Sequence, residues 1–238
     1  GLERTWVHGA ANSPKHIHRG IKILRELASP KDLAWPLILS VLIGLYRNDP
    51  QTSEKYCLES LENFEEQGNS HGIAFSLIVL GNHYRHLNQF SKAKHSIERG
   101  LGISRSIGDQ EGTAHAIRNL GHVYLHLGNF STARKYYLEE AQLWRNLSLP
   151  RLRNQALQSL ANTALAAGNL NEAELLFLES LAEFEQLDDP GNALINLFGL
   201  ARIALRQNKT QAALDLLDDA RSIMEKRNDH EERVPVSY

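Results

Sequence analysis

Along most of the chain apolar residues recur at spacings of three and four, the period that places them on one face of an α-helix. The whole pattern then repeats. GNFSTARKYY, starting at Gly128, has counterparts in NQFSKAKHSI from Asn88 and GNLNEAELLF from Gly168, forty residues to either side. Extending that frame without gaps gives five units: 32–71, 72–111, 112–151, 152–191 and 192–231. The sixth position holds Leu37, Leu77, Ile117, Leu157 and Leu197, and three residues on stand Ser40, Leu80, Leu120, Leu160 and Leu200. The tenth position is mostly small (Val41, Gly81, Gly121, Ala161, Ala201), which lets a second helix approach closely. The twenty-second is small as well (Ser53, Ala93, Ala133, Ala173, Ala213), and four residues later come Cys57, Ile97, Tyr137, Phe177 and Leu217. A long, fixed period of this kind marks stacked helical hairpins, and the expected fold is all-α.

Each unit reads as helix A, a turn, and helix B. The turns fall at Asn48-Asp49-Pro50, Asn88-Gln89, Gly128-Asn129, Gly168-Asn169 and Asn208-Lys209. A second break follows helix B at Gly68-Asn69, Gly108-Asp109, Leu149-Pro150, Asp189-Pro190 and Asn228-Asp229. Gly and Asn end helices because they tolerate the left-handed conformation. Counting backwards, Ser13 to Ala28 fits a preceding helix B and Leu2 to Val7 the tail of its helix A. Residues 1–31 therefore read as a partial repeat and 232–238 as a tail. Solenoid ends need polar caps. Asp215, Asp218, Asp219 and Arg221 offer the last helix B a partial one, and the ends are expected to meet flanking domains, partner chains or, by self-association, other copies.

These columns resemble the tetratricopeptide repeat: Leu120, Gly121 and Tyr124, the Gly-Asn-Phe turn from Gly128 to Phe130, then Ala133 and the aromatic Tyr137. The first unit departs most, with Pro36 early in helix A and Gly44 where others carry a tyrosine. HEAT-type helix pairs are the rival architecture, disfavoured by the small-residue columns and the turn placement. The forty-residue unit is similar to the longer-helix variant in sensor arms of STAND-type regulatory ATPases and in spindle-orientation adaptors. The resemblance implies a right-handed superhelical solenoid, with A helices lining a concave groove and B helices the convex face. It places the inward side chains at the fourth, seventh, eleventh, fourteenth and fifteenth positions. Candidate ligand-binding residues are then Trp35, Phe75, Asn82, Arg85, His86, His115, Arg118, His122, His126, Gln155, Gln158, Asn162, Phe198, Arg202 and Arg206, with Asn119 added from the family's asparagine pair. Asn82 and Asn119 match the asparagines with which some members clamp the carboxylate tails of chaperones. The cationic partners of that clamp fall on Ile78, Gln155 and Ser159, so that mode is not expected.

Composition adds a charge pattern rather than a bulk charge. Lys and Arg number 26 against 28 Asp and Glu, a net charge of −2 that gives no general drive towards nucleic acid or anionic membrane. Positions two to seventeen of all five units nevertheless contain not one Asp or Glu, while holding Arg47, Arg85, Arg118, Arg153, Arg202 and Arg206. Positions nineteen to thirty-six hold seventeen carboxylates. The bland reading is that acidic B helices merely solvate the outer face. A groove without carboxylates also suits an acidic peptide or protein, to which Arg offers bidentate bonds.

Other chemistry is thinner. No apolar stretch reaches the ~20 residues of a membrane helix, and the single Cys57 excludes a disulfide framework and fits a reducing, cytoplasmic setting. The sequons at Asn129, Asn146 and Asn208 are then accidental. His86, His115, His122 and His126 raise the alternative of a small-ligand or metal-sensing domain, but Arg118 sits among them and no carboxylate or cysteine joins them. No metal, cofactor or nucleic-acid partner is expected. Neither a nucleophile, base and acid set nor a phosphate loop can be assembled, and an enzyme is not expected.

Overall fold

The computed structural model describes residues 14–27, 30–42, 49–187 and 189–232. They form helices throughout: α1 (Pro14–Glu26), α2 (Pro30–Leu42), α3 (Pro50–Glu66), α4 (Ser70–His86), α5 (Phe90–Ser106), α6 (Gln110–His126), α7 (Phe130–Asn146), α8 (Pro150–Ala166), α9 (Leu170–Gln186), α10 (Pro190–Arg206) and α11 (Thr210–Glu232). The even-numbered helices from α2 to α10 are the A helices of the repeat frame, and the odd-numbered ones from α3 to α11 the B helices. The A helices α4, α6, α8 and α10 start forty residues apart, as do the B helices from α3 to α11. The partial repeat expected over Leu2 to Val7, and Leu45, Tyr46 and Arg47 of the first A helix, lie outside the described residues.

The turns show why the period is so regular. Gly68, Asn88, Gly108, Gly128, Ser148, Gly168 and Asn208, twenty residues apart with 188 undescribed, all adopt positive φ. Each stops a helix by the same paired bonds, as where Gly128 N donates to Leu125 O and Asn129 N to Tyr124 O. Six of these seven are Gly or Asn; Ser148 at φ 56° carries a Cβ into a region that costs other residues about 1–2 kcal/mol. The following helix is then capped by a side chain: Asp49, Asn69, Asp109, Asn129 and Asp189 each accept the amide three residues on, at 2.9 to 3.2 Å. The break expected at Asn228-Asp229 does not form. The helix runs on to Glu232, since neither Gly nor Pro interrupts it and Asn and Asp continue a helix at small cost.

The chain divides into two compact units, Gly1–Val123 and Tyr124–Tyr238. In the first, α1 to α5 pack consecutively and α2 also touches α4; in the second, α7 to α11 pack consecutively and α8 also touches α10. The repeat columns are its core: Leu37, Leu77, Ile117, Leu157 and Leu197 are buried, as are Ala93, Ala133, Ala173 and Ala213. Small residues set the helix spacing. A Cβ on Gly81 would meet Ile97 and the carbonyl of Ala93, and one on Gly199 would enter the Phe177 ring. Polar knots bridge successive repeats: Ser60 Oγ donates to Ala34 O at 2.8 Å and pairs with Ser76 Oγ at 3.2 Å, and Asn196 Nδ2 donates to Ser180 Oγ. At the twenty-sixth position Cys57, Ile97, Tyr137 and Phe177 are fully buried, whereas Leu217 of α11 is 39% exposed.

Candidate functional site

In the first unit the fourth-position aromatics come together. Trp35, half-buried on α2, has ring centroids at 5.5 Å from half-buried Phe75 of α4, 5.9 Å from His71 and 5.0 Å from buried Phe64. Such offset and edge contacts form a stable apolar platform. Two turns along α4, Arg85 directs Nη2 (2.7 Å) and Nε (3.2 Å) onto Asn82 Oδ1, and Nη2 also lies 3.1 Å from His86 Nε2. Asn82 thus fixes the guanidinium while His86 stays exposed, a pre-positioned donor group for an anion.

On α6 His115 and His126 are exposed, and Arg118, Asn119 and His122 half-buried. Asn119 turns its amide donor back to His115 O at 2.8 Å. The His115 ring meets solvent, yet desolvation by the protein beside it, and then the Arg118 charge, push its pKa down to about 4 despite Asp109. His115 is therefore a neutral hydrogen-bonding group at neutral pH. The unfolded chain takes up this proton near 6.5 and the folded chain near 4. Between those values the unfolded state therefore holds more protons, and this group's contribution to stability is lost as pH falls. An NMR titration should show the His115 ring shifting with a midpoint near 4; a midpoint above 6 would contradict the desolvation.

In the second unit Gln155 and Asn162 of α8 are half-buried, and Phe198 and Arg202 of α10 are exposed. One expectation needs correction, and a second residue has a structural bond of its own. Gln158 is buried at 5% exposure and donates to Asn192 O at 2.9 Å, so its amide ties α8 to α10 rather than facing a ligand. Arg206, though exposed, gives Nη1 to Leu165 O at 2.8 Å, satisfying a carbonyl at the end of the neighbouring A helix. The charge segregation is likewise incomplete, since Arg153 reaches Glu183 at 2.7 and 2.9 Å and Glu179 at 3.3 Å. Burial pushes the Cys57 thiol up to about 12, helped by Glu54, leaving it an unreactive core group. Among the described residues no three His, Cys, Asp or Glu side chains are grouped to hold a metal ion.

The frame also contained pairs that pattern-reading missed. His71 Nε2 lies 3.5 Å from Asp109, and Arg151 Nε 3.1 Å from Asp189. In both, the second residue of one A helix reaches the carboxylate that caps the following A helix. Each basic residue stands thirty-eight places before its acid, a spacing that carries no hydrophobic signal unless the cap is already known.

Residues 112–182 and 152–226 match the family model of the tetratricopeptide repeat. No curated protein matches the chain. Among solved structures it is similar to BtubC from P. vanneervenii, at 21% identity over 90% of this chain and 91% of that one, TM-score 0.75. It is also similar to a signal transduction ATPase with a tetratricopeptide repeat sensor from Pyrococcus horikoshii, at 16% identity over 91% of this chain, TM-score 0.69. A third is NprR in complex with its cognate peptide NprX, at 16% identity over 95% of this chain and 71% of that one, TM-score 0.67. The chain spans only 34% of the ATPase. At these identities the likeness is one of fold. Together with the recurring Leu-Gly and Ala columns, the matched repeats and the hairpin stacking show that the chain belongs to the tetratricopeptide repeat superfamily.

Proposed function

We propose that the chain is a non-catalytic binding scaffold whose inward helix-A surface holds an acidic segment of a peptide or protein, and that it serves as the sensor arm of a larger regulatory protein in the cytoplasm. The observation that carries this is the absence of any carboxylate from positions two to seventeen of every repeat, with Arg85 held ready by Asn82 and Arg202 exposed. Each unit has its own apolar anchor: the Trp35 and Phe75 platform in the unit that holds Arg85, and exposed Phe198 on the helix that carries Arg202 in the other. NprR was solved with a cognate peptide and the archaeal ATPase carries its repeats as a sensor, which supports the same use here. The membrane plays no part in this reading: no described helix is long and apolar enough to cross one.

Calorimetric titration with Glu- and Asp-rich peptides bearing one or two aromatic residues tests it. Arg85→Glu should weaken binding by about tenfold or more, or at least ~1.4 kcal/mol, and raising salt should weaken the wild type as screening grows. Glu62→Lys, an exposed change on a B helix, should leave the affinity within about twofold, since rim charges act mainly on association rate. Equal losses from the two substitutions would move the binding surface to the B helices.

A further inference from the structure

Within Tyr124–Tyr238 two apolar stripes stand exposed on different helices. On the A helix α10, Ile195, Phe198 and Leu205 are 46%, 43% and 54% exposed, at the i, i+3 and i+10 positions, with exposed Arg202 at i+7. On the B helix α9, Leu175 and Leu178 are 70% and 47% exposed, continued by exposed Ala182 at i+7 and bordered by Glu179. Leu175 occupies a column that holds Lys55, His95, Lys135 and Asp215 in the other repeats, so its apolar character is not a demand of the fold. The buried faces of both helices are already filled: Phe177, Ala173 and Ser180 on α9, and Leu197, Leu200 and Ile203 on α10.

The stripes differ in sign. Positions 193–208 contain no acid, while 170–187 contain five Glu and no Lys or Arg. Glu179 is half-exposed and holds Arg153 only through its longer contact of 3.3 Å, the shorter ones going to Glu183. Its carboxylate therefore retains lone pairs for a second cation. Solvent-facing apolar patches with complementary charges mark interaction surfaces.

We propose that these are the two halves of one contact: the α9 stripe of one copy of this chain docks on the α10 stripe of a second, with Glu179 meeting Arg202. Because each copy offers one half and accepts the other, the contact is heterologous and propagates rather than closing on itself as a two-fold dimer. It rests on the reading that the helix-A face is a docking surface, and it names an acid-flanked helix of a second copy as its occupant.

Sedimentation velocity over rising concentration should show wild-type mass growing past a dimer, at a concentration that rises with salt. Leu175→Asp and Phe198→Asp each remove one half, and each protein alone should stay monomeric. Mixed in equal amounts they should form a dimer and stop there, since one intact half survives on each. Arg202→Glu should weaken the association at least tenfold, and adding Glu179→Lys to that chain should restore most of it. Circular dichroism spectra matching the wild type confirm that the surface variants fold. A wild type monomeric up to millimolar concentration, a mixture that stays monomeric, or a two-fold dimer that survives in either variant overturns the proposal. A strictly monomeric chain that still binds acidic peptide through Arg85 would sink self-docking alone. Self-association with no acidic-peptide binding would sink only the peptide groove.

Discussion

Replacing Phe177 by alanine is expected to lower the unfolding free energy by about 3–5 kcal/mol, the range for truncating a fully enclosed aromatic side chain. Phe177 is 0% exposed and packs with Ala161, Ala164, Leu165, Ala173, Leu200 and Ile203, which come from α8, α9 and α10. Its loss therefore loosens the joint between two repeats as well as one hairpin. In a repeat array stability is close to a sum of units and interfaces, so the variant should also unfold over a broader range of denaturant. Gly199 is the counterpart, leaving the space the ring fills: a Cβ there would come 2.5 to 2.7 Å from three ring atoms. Gly199→Ala should cost about 1–3 kcal/mol by overpacking, and less when Phe177 is Leu. Chemical denaturation of the wild type, the three single variants and the Phe177→Leu/Gly199→Ala double variant checks this. A loss below 1 kcal/mol for Phe177→Ala would mean that the twenty-sixth column is not the centre of the repeat.

The forty-residue period carried most of this packing into plain view, because a column fixes which face of a helix is buried. Helix starts, the Gly and Asn turn residues and the small Gly81 opposite Ile97 follow from register, whereas Ser148 and Gly199 differ from the rest of their columns and carry no such signal. Register says less about where a long polar side chain ends. Gln158, Arg153 and Arg206 belong to the helix-A stretches that were read as a ligand surface, yet each reaches a neighbouring helix, because a side chain of four or more bonds spans the gap between repeats. The candidate site is accordingly legible as a surface and not as a set of partners. Asn154 was hidden for another reason. It stands where three other repeats have Ala34, Ala74 and Ala114, is 0% exposed, and its amide makes no hydrogen bond within the described protein. Nothing in a local window distinguishes such an asparagine from a surface one. The extension of α11 past Asn228 has a local cause instead: the frame marks a break there, but neither Gly nor Pro stands at it to stop the helix.

Trp144 is the second position where a large effect is expected, and here an electrostatic share can be separated from the packing. The ring is 0% exposed on α7, and its Nε1 donates to Glu140 Oε1 at 3.0 Å one turn earlier. Glu140 is itself 0% exposed, in a column where the other repeats have Ser60, Gly100, Ser180 and Ala220. A buried carboxylate depends on every donor it has, because its charge has lost the solvation of water. Trp144→Ala should therefore cost about 3–5 kcal/mol for the ring and more for the bond to the carboxylate. Trp144→Phe retains most of the ring and removes the donor, and should cost about 1.5–3 kcal/mol, the range for a hydrogen bond to a charged group. Glu140→Gln in each background completes a double-mutant cycle. The wild-type pair should show a coupling energy of roughly 1–2 kcal/mol, within the range for residues in direct contact. Additive losses, with coupling indistinguishable from zero, would show that Trp144 holds α7 by packing alone.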